Sequence, residues 1–317
     1  MNVLVVPTIR KDNIVPFLDR WKSIEKWDNI IIVEDNPVKS CKLDVDYHYC
    51  WEDIDKDLKD KSWIISRRDS AIRSYGFLKA YQLGADYIFT LDDDCLPISD
   101  NFIEKHLENL TNFSKWSGSI PDIRTRGIPY RNLGKLNNVV INLGLWEGIP
   151  DFDSIQMLSN QNTNLILPKN RILAIGQYYP ICGMNFSHKR EITPACYFPL
   201  MGENSKYGRF DDIWFGIICK KVCDHLNLLI ACGEPYIFHS KASCEFSNLV
   251  KEAPGIAFNE IFWEYIDRIE LTQSTVIGCL LEISENLKSC DDILHPKSDI
   301  SYLNQLGECL KIWCSLF

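Results

Sequence analysis

Residues 86–94 read Asp86-Tyr87-Ile88-Phe89-Thr90-Leu91-Asp92-Asp93-Asp94. The apolar run has the length and the residue types of a buried β-strand, and it ends where three carboxylates begin. In an open α/β sheet, ligands bind just beyond the carboxyl ends of the strands. Because Mg²⁺ and Mn²⁺ prefer carboxylate oxygens and bridge them to phosphates, this stretch predicts a divalent-cation site. A solvated acidic turn is the alternative interpretation of the three aspartates.

The residues before this stretch alternate between strand-like and helix-like patterns. Short apolar runs predict buried strands at Val3–Val6 and Ile30–Val33, and a third at Trp63–Ile65. Apolar residues recur at helical intervals from Asp69 to Leu83, where Gly84 is a suitable stop signal. Alternation of this kind predicts an α/β fold with a doubly wound, mostly parallel sheet.

The pattern changes after about residue 257. Helix-compatible apolar spacing runs through Ile261–Leu287 and again through Ile300–Leu316, with few turn signals between. We therefore predict one α/β domain of residues 1–256, followed by a helical appendage of residues 257–317. The apolar spacing of the appendage also suggests self-association of the chain into a homo-oligomer.

Composition narrows the class of protein. The 317 residues carry a net charge of −9, which argues against a general nucleic-acid partner, because such proteins present a basic face to phosphates. The thirteen cysteines are odd in number, scattered and without a CxxC pair, as in a reduced intracellular protein. The N-terminus lacks the pattern of a signal peptide, and no apolar segment approaches the roughly 18 residues of a membrane span. We therefore expect a cytoplasmic protein without a transmembrane segment.

Charged residues follow several of the predicted elements. Asp35 ends the second strand, where it could accept from a uracil N–H or a ribose hydroxyl, or form an ordinary turn before Pro37. Asp69 is suited to cap the helix that follows it. Arg73 lies one turn into that helix and could face a diphosphate, since its planar fork donates two hydrogen bonds. A surface ion pair is the alternative for Arg73.

Two later segments add further candidates. Asp211 and Asp212 precede a predicted helix beside an arginine, and they suit either helix capping or contacts with sugar hydroxyls and charge at an anomeric centre. His239 and Lys241 end a short apolar run. Next to an aspartate cluster the histidine becomes a credible third metal ligand, and the lysine could neutralise phosphate. The predicted metal ligands are Asp93, Asp94 and His239.

An ordered series of motifs indicates a known family. The series comprises Val6–Arg10, Asp69–Ala71 with Arg73, Asp92–Cys95, Gly144–Trp146, Ile149–Asp153, Cys182–Asn185, Tyr197-Phe198, Leu200–Gly202, Gly208–Trp214, Cys223–His225 and Pro235–Ser243. Over about residues 3 to 255 the chain resembles the reversibly glycosylated polypeptide family. The active members of that family are UDP-arabinopyranose mutases with a GT-A-like glycosyltransferase fold.

The resemblance implies a UDP-sugar substrate, Mn²⁺ or Mg²⁺ at the triple aspartate, and an arginine that becomes reversibly glycosylated. That arginine corresponds to Arg126. The family loop carries a second arginine seven residues later, where this chain has Leu133, and Arg131 is the nearest substitute. The expected catalytic residues are Arg126, Arg131, Asp211 and Asp212. The expected substrate-binding residues are Thr8, Arg10, Asp35, Asp69, Arg73, Asp92, Asp151, Asp153, Cys182, Gly183, Asn185 and Lys241.

Three functions are compatible with these residues. The first is a UDP-arabinopyranose mutase that depends on a divalent metal and glycosylates itself reversibly. The second is a glycosyltransferase that moves sugar from a nucleotide-sugar donor to a separate acceptor. The third is a non-catalytic scaffold subunit of the same family, against which the complete triple aspartate, Arg73 and His239 argue.

Overall fold

The computed structural model describes residues 1–117, 126–149, 151–159, 170–201, 205–239, 244–289 and 297–317. Within these residues one nine-stranded sheet is present. Its strands are β1 (Asn2–Thr8), β2 (Asn29–Glu34), β3 (Tyr47–Tyr49), β4 (Tyr87–Leu91), β5 (Cys95–Pro97), β6 (Val139–Gly148), β7 (Arg171–Ile172), β8 (Asn185–Lys189) and β9 (Leu229–His239). Their order is β3-β2-β1-β4-β8-β6-β9-β5, and β7 pairs with β9.

Helices connect these strands and complete the chain. They are α1 (Lys11–Lys22), α2 (Trp51–Leu58), α3 (Arg73–Gln82), α4 (Phe102–Thr111), α5 (Ser154–Ser159), α6 (Asp211–His225), α7 (Glu245–Arg268), α8 (Val276–Lys288) and α9 (Lys297–Cys314). Short 3-10 turns are formed by Lys59–Ile64, Ser70–Ile72 and Arg190–Ala195. The predicted strand at Trp63–Ile65 is wrong, because most of it belongs to the first of these turns, and the third strand is β3 instead.

The sheet is parallel in one half and mixed in the other. Strands β1 to β4 run parallel, and Thr8 pairs with Glu34 at their common carboxyl end. Strand β8 then pairs antiparallel with both β4 and β6, whereas β6 and β9 are parallel. The α/β class is therefore confirmed, and the predicted parallel arrangement applies to the N-terminal strands, which carry the aspartate motif.

Alternate residues of β1 enter different cores. Val3 and Val5 pack with α3 and α6 on one face of the sheet, and Leu4 and Val6 pack with α1 and α4 on the other. All four side chains are fully buried, because successive residues of a strand point to opposite faces and both faces are covered by helices. The doubly wound arrangement is thus confirmed.

The C-terminal helices belong to the first of these cores. Ile283 of α8 and Trp313 of α9 are fully buried in the same cluster as Tyr197. Trp313 Nε1 donates a hydrogen bond to the Pro194 carbonyl at 2.8 Å. The helices predicted after residue 257 are confirmed. The predicted boundary itself falls inside α7, so a division into two domains stays a prediction that the shared core does not favour.

None of the helices in the described part of the chain is both long enough and apolar enough to cross a bilayer.

Candidate active site

The parallel strands bring the first candidate residues to one edge of the sheet. Asp93, the second residue after β4, is 5% exposed and accepts a hydrogen bond from Thr8 Oγ1 of β1 at 2.7 Å. Its second oxygen accepts from Arg10 Nη2 at 2.5 Å. Both carboxylate oxygens of Asp93 are therefore engaged by protein donors, and they join the ends of β1 and β4. The structure thus brings together Thr8, Arg10 and Asp93, and their expected roles stay predictions.

Asp92 and Asp94 differ from Asp93 in exposure. Their side chains are 33% and 16% exposed, compared with 3% for Asp93. Asp92 accepts a hydrogen bond from Arg73 Nη2, and Asp94 lies 3.4 Å from Arg10 Nη2. Burial raises the pKa of Asp94, as does the charge of Asp92, whereas His239 and Arg10 lower it. The two outer aspartates of the triplet thus face the open side of the sheet edge.

His239 reaches the same corner through sheet pairing. β5 and β9 pair Cys95 with His239, which places the histidine beside Asp94. The Nδ1 atom of His239 lies 3.0 Å from the Ile149 carbonyl oxygen, which can only accept, so Nδ1 carries the proton and Nε2 keeps its lone pair. Carboxylate oxygens and an imidazole nitrogen are ligand types that suit Mn²⁺ or Mg²⁺. Among the described residues, however, the ligand atoms of Asp92, Asp94 and His239 are not grouped within 4.8 Å of one another.

Arg73 lies behind this corner and is 1% exposed. It donates to the Ser70 carbonyl at 3.0 Å, to Thr90 Oγ1 at 3.1 Å, and also to the Gly183 carbonyl and to Asp92. Burial by itself would lower the pKa of Arg73. The charge and the hydrogen bond of Asp92 act in the opposite direction, and the pKa is raised overall. A Cβ atom at Gly183 would lie 3.1 Å from the guanidinium, so glycine permits this approach. Arg73 is therefore a buried member of the site and not a surface ion pair.

A second group of carboxylates lies next to Arg73. Asp69 caps the turn before α3 through the Ala71 amide at 2.8 Å, and Ser66 Oγ donates to it at 2.6 Å. Ser70 Oγ donates to Asp211 at 2.8 Å. Burial raises the pKa of Asp69 well above its usual range, and the charge of Asp211 raises it further. Burial also raises the pKa of Asp211.

Asp212 belongs to a third group. One oxygen of Asp151, the Cys182 sulfur and one oxygen of Asp212 lie within 4.8 Å of one another. Burial raises the pKa of Asp212 well above its usual range, and the charges of Asp211 and Asp151 raise it further. Burial likewise raises the pKa of the Cys182 thiol. Mn²⁺ and Mg²⁺ prefer oxygen to sulfur, so the ligand types of Asp92, Asp94 and His239 suit such an ion better, whereas the ligand atoms of Asp151, Cys182 and Asp212 lie closer together.

Three other candidates have their own partners. Asp35, at the end of β2, accepts from Trp51 Nε1 at 2.8 Å, and burial raises its pKa. Asp153 is exposed and accepts from the Gln156 amide at 2.9 Å, which caps α5. Asn185 is 1% exposed, and its amide nitrogen donates to the carbonyls of Leu145 and Pro235. Asn185 thus supports the sheet, and its contact with substrate stays a prediction.

The two arginines expected to react are Arg126 and Arg131. Arg126 and Arg131 are both exposed, and neither forms an ion pair with a carboxylate in the described part of the chain. Lys241 lies outside the described residues, as does Arg124 of the same loop as Arg126.

Comparison with known proteins identifies the family. The sequence profile described as "Reversibly glycosylated polypeptide" matches residues 2–317. The chain belongs to the reversibly glycosylated polypeptide family. The motifs suggested that the resemblance ends near residue 255. The match instead extends through α8 and α9, so the C-terminal helices are part of the family's sequence.

Relatives of this reversibly glycosylated polypeptide include UDP-arabinopyranose mutases. UDP-arabinopyranose mutase 1 and UDP-arabinopyranose mutase 2 of Arabidopsis thaliana are each 34% identical to it over 98% of this chain, and the alignments cover 90% and 89% of those proteins. UDP-arabinopyranose mutase 1 of Oryza sativa subsp. japonica is 33% identical over 98% of this chain and 88% of its own length.

Solved structures with a related architecture were also found. Glucosyl-3-phosphoglycerate synthase from Mycobacterium tuberculosis, in complex with Mg²⁺ and UDP, is 11% identical with a TM-score of 0.43, and the match covers 84% of this chain and 76% of that one. Its complex with Mn²⁺, UDP and glucosyl-3-phosphoglycerate is 12% identical with a TM-score of 0.44, covering 92% and 81%. At this identity and TM-score, the similarity carries no information about ligands.

Two residues of this family member were missed as site residues. Ser70 is part of the Asp69–Ala71 motif, and its hydroxyl faces Asp211. Arg209 directly precedes the Phe210-Asp211-Asp212 segment, and the charges of Asp212 and Asp151 act on it. Both residues belong to motifs shared with the family, and that position could have indicated them as site residues. The partner of Arg209 lies 43 residues away, and no local pattern indicates it.

Proposed function

We propose that this chain interconverts UDP-arabinopyranose and UDP-arabinofuranose, with a divalent metal and a transient sugar adduct on Arg126. The names of relatives that are 33–34% identical over 98% of the chain support the reaction. One observation in the site carries the proposal. The buried Arg73 is within electrostatic reach of Asp92 at the open corner and of both Asp211 and Asp212 in the carboxylate group. In our proposal the diphosphate therefore binds next to the sugar.

The metal would be held by Asp92, Asp94 and His239. When bound there, it would supply Lewis-acid stabilisation of the charge that develops on the UDP leaving group. Asp93, predicted as a ligand, has both oxygens engaged by Thr8 and Arg10. Its role as a ligand stays a prediction, and in our proposal it orients Arg10 toward the phosphates.

The sugar must stay bound while its ring changes size. In the first step a nitrogen of Arg126 forms a bond to C1, the bond from C1 to the phosphate oxygen breaks, and its electron pair leaves with UDP. A guanidinium is a weak nucleophile because its pKa lies above about 12, so a carboxylate must accept its proton. Asp211 and Asp212 suit this task in their ionised forms, because a raised pKa makes a carboxylate a stronger proton acceptor.

The remaining steps change the ring and return the sugar to UDP. The ring of the bound sugar opens and closes through a different hydroxyl, UDP attacks C1 again, and Arg126 recovers its proton from the carboxylate. Arg126 is exposed in the structure, so the proposal requires it to approach the carboxylates. Two features favour one alternative reaction: the exposure of Arg126, and Leu133 in place of the family's second arginine. In that alternative the sugar passes to a separate acceptor.

Product analysis tests the proposal. Wild-type protein with UDP-arabinopyranose and Mn²⁺ should form UDP-arabinofuranose, and Arg126→Ala or Asp93→Asn should abolish that product. Arg20→Ala, which removes an exposed arginine on α1, is the matched control and should retain activity. Folded wild-type protein that forms no furanose by chromatography would refute the mutase reaction. Label transferred to an added acceptor would establish the transferase alternative.

A further inference from the structure

Arg209 has an unusual position beside the carboxylate group. Its φ of 63° lies in the left-handed region, which long side chains rarely adopt. Its Nε atom donates to Glu252 Oε1 at 2.8 Å, and the arginine side chain remains 43% exposed. Strained backbone of this kind persists where the surrounding structure enforces it, often at binding sites.

Glu252 fixes Arg209 from the C-terminal helix α7. Its side chain is 5% exposed, and its second oxygen accepts from the Ser154 amide at 2.8 Å. One carboxylate therefore holds both Arg209 and the start of α5, just after Asp151. The close approach of α7 is built into the sequence, since a Cβ atom at Gly255 would lie 2.5 Å from the Phe210 ring.

The terminal nitrogens of Arg209 remain available. Within the part of the chain that the structure describes, they donate no hydrogen bond, and the one contact of the guanidinium is through Nε. Asp212 and Asp151 act on this guanidinium in addition to Glu252. The oxygens of an ionised phosphate can only accept hydrogen bonds, so they suit neighbouring carboxyl groups less well than sugar hydroxyls do, which can also donate. Alternating carboxylate acceptors and guanidinium donors suit the hydroxyl and ring oxygens of a sugar.

We propose that Arg209 binds the sugar of the nucleotide-sugar substrate through its terminal nitrogens, and that Glu252 is the residue that positions it. This inference rests on the proposed function and deepens it. It also gives the C-terminal helix α7 an indirect part in substrate recognition, through Glu252.

Calorimetric titration with UDP and with UDP-arabinopyranose, both with Mn²⁺, tests the inference without using activity. Arg209→Gln should weaken the affinity for UDP-arabinopyranose by about tenfold or more, because a charged hydrogen bond is lost. The affinity for UDP should stay within about twofold of the wild-type value. Arg268→Gln, at an exposed arginine paired with Glu264 on the same helix, should change neither affinity.

Glu252→Gln tests the positioning role. An amide has one acceptor oxygen where the carboxylate uses two, so either Arg209 or the Ser154 amide loses its partner. The variant should show the same selective loss for UDP-arabinopyranose. The double variant Arg209→Gln with Glu252→Gln should bind this ligand no more weakly than Arg209→Gln alone, because Glu252 acts through Arg209. A purely structural role of Glu252 would instead make the two losses additive.

The outcomes separate this inference from the proposed function. Equal weakening of UDP and UDP-arabinopyranose in folded Arg209→Gln would assign the arginine to the phosphates and overturn the inference. Unchanged binding of both ligands would overturn it as well. A folded wild-type protein that binds neither ligand would refute the proposed function, and this inference with it.

Discussion

At the scale of single residues, the site is organised around one buried cation. Arg73 is almost fully buried and pairs with Asp92, and the charges of Asp211 and Asp212 also act on it. Burying a guanidinium is unfavourable unless opposite charges and hydrogen bonds compensate, and here four acceptors surround it. Burial raises the pKa values of Asp69, Asp211 and Asp212, and the charges of neighbouring carboxylates raise them further.

We predict that Asp212→Asn makes the protein more stable at pH 8. A carboxyl whose folded-state pKa lies above its unfolded value binds more protons when folded, so its contribution to stability is full below the unfolded pKa and is lost as pH rises through the folded pKa. The raised pKa of Asp212 therefore means that its charge destabilises the native state at high pH. Urea unfolding of metal-free protein at a series of pH values measures the difference.

The difference between Asp212→Asn and wild type should shrink as pH falls through the raised pKa. At low pH only the loss of one acceptor remains, because Asp212 receives the Gly183 and Ile213 amides on two separate oxygens. Asp19→Asn, at an exposed aspartate of α1, is the control and should show no such dependence. A difference that stays constant or grows toward low pH would contradict the prediction.

At the scale of elements, close packing of α3 on the sheet sets the position of Arg73. The helix begins at Arg73, and Gly76 lies one turn later against β1 and β2. A Cβ atom at Gly76 would lie 2.4 Å from Val5 Cγ1 and 3.0 Å from Val33 Cγ2. Since no real Cβ atom approaches so closely, the absence of a side chain at Gly76 lets the helix place Arg73 next to Asp92.

We therefore predict that Gly76→Ala lowers the free energy of unfolding by about 1–3 kcal/mol, as overpacking of a core does. Helix propensity alone predicts the opposite, a gain of about 1 kcal/mol. Urea denaturation distinguishes the two signs. Gln82→Ala, at an exposed position of the same helix, should change stability by less than about 0.5 kcal/mol. A stabilised Gly76→Ala variant would show that α3 can move away from the sheet.

At the scale of the whole molecule, the C-terminal helices and the sheet share one core. Trp313 of α9 is fully buried, and its ring lies 5.2 Å from that of Tyr197. Tyr302 donates to the Leu200 carbonyl at 3.2 Å. The apolar spacing that suggested self-association is thus used largely within the chain. Association of copies through these helices stays a prediction.

Trp313→Ala should destabilise the entire protein and not the tail alone. Loss of a buried tryptophan removes about 3–5 kcal/mol, and with one shared core the cost falls on one cooperative transition. Far-UV circular dichroism and the remaining tryptophan fluorescence should give coincident urea midpoints, both shifted. Trp116→Ala, at a 49% exposed tryptophan, is the matched control. Two separate transitions, with only the first shifted by Trp313→Ala, would indicate an independent C-terminal domain.

The sequence alone determined the features that depend on neighbouring residues. An apolar run followed by three aspartates predicted β4 and the carboxylates at its end, because strand length, residue type and the onset of charge are all local. The same holds for Asp69 as a cap, which needs only an amide two residues away. The Trp63–Ile65 prediction failed for a local reason too, since three apolar residues do not distinguish a strand from a 3-10 turn.

Only the tertiary structure decided which aspartates are open and which are engaged. Asp92, Asp93 and Asp94 are identical in type, and it is Thr8 and Arg10, more than 80 residues earlier, that bury the middle one. The pairing of His239 with Cys95, and of Arg209 with Glu252, likewise joins segments that no sequence window contains. Burial and electrostatics depend on distances in space, and a sequence records only distances along the chain.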